Sequence, residues 1–504
     1  MSAIHRNPSR AALPLPSPDD ARPVLVWFRD DLRLGDHPAL GHAAASGRPI
    51  VAVHVLDEVS PGVRALGGAS RWWLHRSLAA LAADLSGYGV RLILRRGPAG
   101  EVIPGLAAEI DAAEVVWNRR YLPAMVAIDA ELKHRLRAEG RAATSFQASL
   151  LHEPPAIRTG AGGPFRVFTP FWRACRAGPR PRPALPRPMA LRAFAPAPMG
   201  LALEVLELLP RAPNWAGGLD ATWTPGEAGA EARLTRFLDA GLASYAAERD
   251  RPDRDVGSHL SPHLRFGEIS PFRVVEAVEA RIAADPRFAA SGEKFVSEVG
   301  WREFAHHLAF HFGDLSTRNF QPRFDAFPWR RDDALLAAWT QGRTGYPLVD
   351  AGMRELWATG TMHNRVRMVV ASFLVKHGLV DWREGERWFF DTLVDACPAV
   401  NPASWQWAAG SGADAAPYFR IFNPVSQGTK FDPTGAYVRR WVPELARLPA
   451  SAVQAPWAAP RAVLDGAGVV LGRSYPLPIV DHATARARAL AAFAATAVGA
   501  GDAV

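Results

Sequence analysis

Between residues 24 and 150 the chain alternates short, β-rich apolar runs with longer amphipathic stretches. VLVWF (24 to 28), IVAVHVL (50 to 56), VRLILRR (90 to 96) and EVVWN (114 to 118) have the near-continuous hydrophobicity of strands covered on both faces. Between them, SRWWLHRSLAALAADL (70 to 85) and AIDAELKHRLRAEG (127 to 140) space their apolar residues at helical intervals. This βαβ alternation predicts a doubly wound parallel sheet with helices on both faces. No GxGxxG motif accompanies these strands, so no dinucleotide is expected in this part of the chain.

The pattern changes after residue 176. Residues 176 to 230 include GPRPRPALPRPMALRAFAPAP and are expected to cross the surface as a connector without regular helix or strand. From EARLTRFLDAGLASYAAERD (231 to 250) onward nearly every segment is helical in period, so the second domain is predicted to be all-α. The expected boundaries are a disordered N-terminus (1–22), an α/β domain (23–150), a connector (151–230), a helical domain (231–475) and a C-terminal tail (476–504). The tail segment HATARARALAAFAATAV predicts one Ala-rich terminal helix with a frayed end.

Composition narrows the class. With 504 residues, 48% of them hydrophobic, the chain exceeds what one core usually holds. Lys plus Arg number 58 against 50 Asp plus Glu, and the +8 balance favours an anionic partner, nucleic acid before membrane. Two cysteines, Cys175 and Cys397, exclude a disulfide framework and a Cys-rich metal site, and no metal is expected. The N-terminal stretch has no apolar h-region and no run reaches membrane-spanning length, so the expectation is a soluble, cytoplasmic protein.

Several local patterns carry chemistry. In MHNRVRM (362 to 368), Asn364 and Met368 share one helical face while His363 and Arg367 share the adjacent one. Those polar residues precede VVASFLVK, which reads as an ordinary buried helix, and they are unusual beside it. In SEVGWREF, Glu298 and Trp301 fall at i and i+3, an aromatic surface beside a carboxylate that suits an uncharged, planar, hydrogen-bonding ligand. Gly257, Ser258 and Ser261 precede a short helix and offer amides and hydroxyls to a phosphate, or else a plain Ser-Pro cap. Most of the 17 Trp lie beyond residue 300, where packing alone would account for many of them.

Eight segments in order, LVWFRDDLRL (25 to 34), SRWWLH (70 to 75), GSHLSPHLRFGEISP (257 to 271), WREF (301 to 304), TGYPLVDAGMREL (344 to 356), MHNRVRM, DWREGERWF (381 to 389) and NPASWQWAAGSGADAAPYFRIFNP (401 to 424), resemble the photolyase and cryptochrome family. The resemblance runs from about residue 24 to about residue 445. It implies an α/β domain, a long connector and a helical domain that holds FAD.

Carried over residue by residue, the resemblance implies FAD contacts from Tyr245, Arg249, Gly257, Ser258, His259, Leu260, Ser261, Arg367, Asp395, Cys397 and Asn401. Arg367 is expected to pair with Asp395, since a buried guanidinium needs a carboxylate. Asn401 falls where photolyases place an Asn next to flavin N5, and a neutral amide there favours the reduced cofactor. Cys397 stands where the family usually has a second Asp. Glu298, Asn364, Met368 and Asn401 are expected to serve catalysis, and Trp405, Trp382 and Trp329 to relay electrons to the flavin. Trp301, Arg302, Arg365, Trp407 and Arg420 are expected to meet the lesion or the DNA.

The implied function is light-driven repair of cyclobutane pyrimidine dimers in UV-damaged DNA, by a monomer without membrane association. A cryptochrome-type blue-light receptor is the alternative, disfavoured by Asn401 and by the short tail. Repair of (6-4) photoproducts is disfavoured because that reaction moves a hydroxyl and typically uses His at both positions matching Asn364 and Met368. A second, antenna chromophore of open identity is also implied. Leu122 replaces the acidic residue that folate-binding members often carry after the Tyr of a motif like NRRY, which argues against methenyltetrahydrofolate in that mode.

Overall fold

The computed structural model describes residues 22–414 and 419–498. The N-terminus expected to be disordered lies outside the described residues except for Arg22, as do the last six residues of the tail. Five strands, β1 (Val24–Phe28), β2 (Ile50–Leu56), β3 (Leu92–Arg96), β4 (Glu114–Asn118) and β5 (Ala142–Phe146), form one parallel sheet in the order β3-β2-β1-β4-β5. Val24 pairs with Ile50 on one side and with Glu114 on the other. Val24, Val26 and Phe28 enter the core beneath helices α1 (Pro38–Ala45) and α2 (Gly68–Ser86). Leu25 and Trp27 enter the opposite core beneath α3 (Ala99–Glu109) and α4 (Pro123–Ala138). The two-residue period thus supplies two cores from one strand, and β1 reads as wholly apolar because neither face meets water. Strand β5, AATSF, carries too little hydrophobicity to stand out in the sequence because it is the half-exposed edge.

The connector is more ordered than its composition suggests. Helices occupy Phe168–Ala177 and Gly217–Thr222, a 3₁₀ turn Leu203–Leu206, and a further helix begins at Glu227. Pro and Gly prevent regular structure mainly between residues 178 and 202. Beyond them Leu206, Leu219 and Trp223 are buried against α2, with the Trp73 and Trp223 rings 5.3 Å apart, and that burial stabilises short helices that would not persist alone. A helix thus already spans the boundary expected at residue 231. At the other end His482–Val498 forms the Ala-rich helix, burying Ala485, Ala489 and Ala492 along one face beside Phe419 and Phe324.

The two domains meet at the C-terminal ends of the strands. The strand order reverses between β1 and β4, the place where open α/β sheets form a crevice. Asp30, just beyond β1, accepts from Arg265 Nη1 at 2.8 Å, while Arg265 Nε donates to the Ala396 carbonyl at 2.9 Å. Gly267 has φ +66°, and a Cβ there would lie 2.1 Å from the Asp30 carbonyl oxygen, so only glycine permits this approach. Trp73 Nε1 donates to Glu268, which also bonds His263, and all three side chains are buried. No described helix is long and apolar enough to cross a membrane.

Candidate functional site

A cavity of about 1780 Å³ extends from the strand ends into the helical domain. It is larger than the roughly 300–1000 Å³ of most small-molecule pockets, leaving room for a dinucleotide and a further ligand. Tyr245, Arg249, Gly257, Ser258, His259, Leu260 and Ser261 all line it. So do Glu298, Trp301, Arg302, Asn364, Arg365, Arg367, Met368, Asp395, Cys397, Asn401, Trp405 and Trp407. Trp382, Trp329 and Arg420 do not.

The GSHLS segment is not a Ser-Pro cap. Leu260 is the N-cap of Ser261–Phe266 and no side chain caps that helix. Ser258 Oγ accepts from the Leu260 amide at 3.3 Å, and Ser261 is exposed toward the cavity. His259 adopts φ +52° and bonds Asp255 at 2.6 Å, with Asp255 also paired to Arg236. Arg233, Arg236, Arg249 and Lys294 line the same cavity, a cation density suited to a pyrophosphate.

His363 supplies the start of the MHNRVRM helix. Its Nδ1 accepts from the Arg365 amide at 3.2 Å, making it the N-cap, a role that sequence spacing did not indicate. Burial pulls His363 down to about 4, so the ring is neutral and able to accept. Asn364 then opens into the cavity with Met368 one turn on. Arg367 Nη2 and Nη1 reach Asp395 at 3.0 and 3.3 Å, and Nε donates to the Met362 carbonyl at 2.8 Å. Arg365 instead pairs with Asp250 at 2.6 Å and stacks over Phe431.

On the facing helix, Ala289–Phe312, Glu298 is paired with Arg249 and with Lys294 at 3.0 Å. Trp301 stacks on Phe168 at 3.8 Å and 11°. Arg302 lines the cavity, and its guanidinium donates to the Ser149 carbonyl at 2.8 Å and the Leu264 carbonyl at 3.4 Å. Arg420 is exposed but outside the cavity lining.

The far wall is Val400–Ala409. Asn401 Nδ2 donates to Glu386 Oε1 at 2.8 Å and to the Glu386 carbonyl at 3.0 Å. Cys397 Sγ lies 3.7 Å from His306 Nε2, and burial, helped by Arg302 and Arg265, pushes His306 well below its usual range. The wall thus carries a thiol beside a neutral imidazole where a carboxylate was the family expectation. Trp405 packs against Gly385, where a Cβ would lie 2.1 Å from its ring, three residues along the helix that begins at Trp382. Trp382 is fully buried with Nε1 donating to Asn319 at 2.9 Å, and Trp329 lies half-buried against Phe327 at 4.3 Å.

Residues 24–189 match the DNA photolyase family, and residues 295–495 match the FAD binding domain of DNA photolyase. A deoxyribodipyrimidine photo-lyase of Agrobacterium fabrum is 52% identical over 94% of this chain and 98% of its own length. The chain belongs to the DNA photolyase family. Among solved structures, a bacterial class III photolyase from Agrobacterium tumefaciens superposes with a TM-score of 0.90 at 50% identity, covering 97% of this chain and 99% of its own. Cryptochrome-1 of Arabidopsis thaliana is 39% identical over 92% of this chain and 69% of its own length.

Glu386, Arg64, His306 and Glu355 also line the cavity, although sequence reasoning gave them no role. Glu386 lay inside a quoted motif, DWREGERWF, and a buried carboxylate beside Trp382 could have been suspected there. Arg64 carries no local signal, because its partner is 322 residues away.

Proposed function

We propose that this protein repairs cyclobutane pyrimidine dimers in UV-damaged DNA in a light-driven reaction with FAD. The observation that carries the lesion assignment is the cavity-facing pair Asn364 and Met368, neither of which titrates near neutral pH. The residues present fit FAD: Ser258, Ser261 and the nearby cations suit its pyrophosphate, and the Arg367–Asp395 pair gives a fixed polar edge for a ring system. When bound in reduced form, FAD supplies an electron that light lends to the dimer and that returns after the ring opens. Asn364 hydrogen-bonds the extruded bases, Met368 gives a polarizable contact and Glu298 lies within reach of the same ligand. Trp301 and Trp407 offer aromatic faces for bases drawn from the stack, a mode generally attributed to photolyases. Trp405, Trp382 and Trp329 form the electron route that keeps the cofactor reduced.

A second chromophore fits the sheet end of the cavity, where Trp27 Nε1, Arg29 Nε and Arg120 Nε are buried N–H groups without partners among the described residues. Burial and the neighbouring Arg29 pull Arg120 down to about 10, a crowding of cations that an acceptor-rich or anionic ligand relieves. Leu122 lines the cavity, in keeping with a ligand other than a folate held by an acidic residue there.

The test is to incubate FAD-loaded, reduced protein under blue light with oligonucleotides carrying a cyclobutane dimer or a (6-4) photoproduct. Restored cyclobutane sites with untouched (6-4) sites are expected. Restored (6-4) sites beside untouched dimers would overturn the lesion assignment, and light-dependent flavin reduction without repair of either would favour the photoreceptor alternative.

A further inference from the structure

Arg64 stands in the segment between β2 and α2, yet its guanidinium reaches the helical domain. Its Nη1 and Nη2 donate to Glu386 Oε1 at 2.7 Å and Oε2 at 2.9 Å, and its Cζ lies 3.4 Å from the Phe390 ring centroid. The backbone around it approaches just as closely. A Cβ on Gly67 would lie 2.2 Å from the Phe390 carbonyl oxygen, and the Gly68 amide donates to Asp391 at 2.8 Å.

Glu386 is buried and shared, since its Oε1 also accepts from Asn401 Nδ2 at 2.8 Å and its carbonyl accepts from the same nitrogen at 3.0 Å. An ionised carboxylate and a backbone carbonyl are acceptors only, so the Asn401 amide must turn its NH₂ group to them. Its oxygen is left for the cavity that Asn401 lines. An oxygen in that place accepts a hydrogen bond and cannot donate one.

We propose that Arg64 is an interdomain positioning residue which, through Glu386, holds the Asn401 amide oxygen toward the flavin and so favours the reduced cofactor over the oxidised one. The proposal rests on the reading of Asn401 as the neighbour of flavin N5. Reduced flavin carries a hydrogen on N5 that the oxygen can accept, whereas oxidised N5 is itself an acceptor and faces the oxygen unfavourably. Without the guanidinium, the Glu386 carboxylate is no longer held where Asn401 Nδ2 meets it, so the amide loses part of its fixed sense and can present NH₂ to N5. The redox preference of the helical domain is therefore set in part by a side chain of the α/β domain.

The experiment uses full-length, FAD-loaded protein and equilibrium redox titration against reference dyes, with infrared difference spectra of the Asn401 amide carbonyl upon reduction. Arg64→Met is expected to shift the titration toward oxidised flavin by about tenfold in the equilibrium constant, the scale of one hydrogen bond, and to move the carbonyl band. Arg64→Gln should behave as Arg64→Met does, and Arg64→Lys, which keeps the cation, should recover most of the shift. An unaltered titration in Arg64→Met, or an Arg64→Lys indistinguishable from Arg64→Met, would overturn the clamp. Asn401→Ala separates the two layers. If it shifts the titration while Arg64→Met does not, only the clamp fails; if it too leaves the titration unaltered, the placement of Asn401 at N5 fails.

Discussion

The two ends of the cavity differ in how their polar groups are partnered. At the strand ends the charges hold one another: Arg29 reaches Asp129 at 2.5 and 3.1 Å, Trp117 Nε1 donates to Asp129 at 2.8 Å, and Asp31 joins Asn118 and His37 at 2.8 and 3.1 Å. In the helical domain cations also line the cavity, Arg233, Arg236, Arg249 and Lys294 among them, but Asn364, Met368, Asn401 and the rings of Trp301 and Trp407 line it with them. The first arrangement ties helix to strand and leaves Trp27 Nε1, Arg29 Nε and Arg120 Nε as unmatched donors among the described residues. The second presents amides, sulfur and rings, which suit uncharged bases and a planar cofactor. A polar cavity wall is thus informative by what its partners leave unsatisfied, since charge already paired inside the protein has little left to offer a ligand.

The contrast is broken first at the electron route. Trp405→Phe should abolish photoreduction of oxidised FAD, followed by absorbance under blue light, while chemically reduced protein still repairs. Retained photoreduction would mean that the helical wall contains another donor path. Next, Arg29→Met should cost about 3–5 kcal/mol in urea unfolding, because it strands the Asp129 carboxylate. The spectrum of FAD in the remaining folded fraction should not alter. A loss of FAD with no loss of stability would reverse the roles assigned to the two ends.

His363 gives a smaller and pH-dependent effect. Its folded value of about 4 lies below the ordinary His value, so between roughly pH 6.5 and 4 the unfolded chain binds the proton more readily. Stability is therefore lost as pH falls through that window, by up to about 3 kcal/mol from this group. His363→Asn, a cap that does not titrate, should remove this part of the slope measured by urea unfolding at pH 7 and pH 4.5. An unchanged slope would show that other buried histidines, such as His54, held near 4 by burial, account for it. The smallest effect on stability belongs to Asn364→Ala, within about 0.5 kcal/mol because the side chain faces open cavity. Its expected defect is in dimer repair, measured on oligonucleotides.

The alternation of apolar runs and helical stretches was enough to place β1, β2, β3 and β4 within two residues of their observed limits, because strands buried on both faces have no freedom to be polar. The helical period after residue 231, the Arg367–Asp395 pairing and the cavity face of Asn364 and Met368 were equally legible, since each depends on spacing within one helix or on a motif in order. The connector was misread because Pro and Gly describe local backbone preference, whereas Leu219 and Trp223 are ordered by a surface of α2 far away in sequence. For the same reason nothing local marks His363 as a cap, Arg302 as a tie across the domain junction, or His306 as the partner of Cys397. Arg64 is the extreme case. Its worth lies in a carboxylate 322 residues away, and only folding, which sets the sheet ends against the helix Trp382–Thr392, makes the two meet.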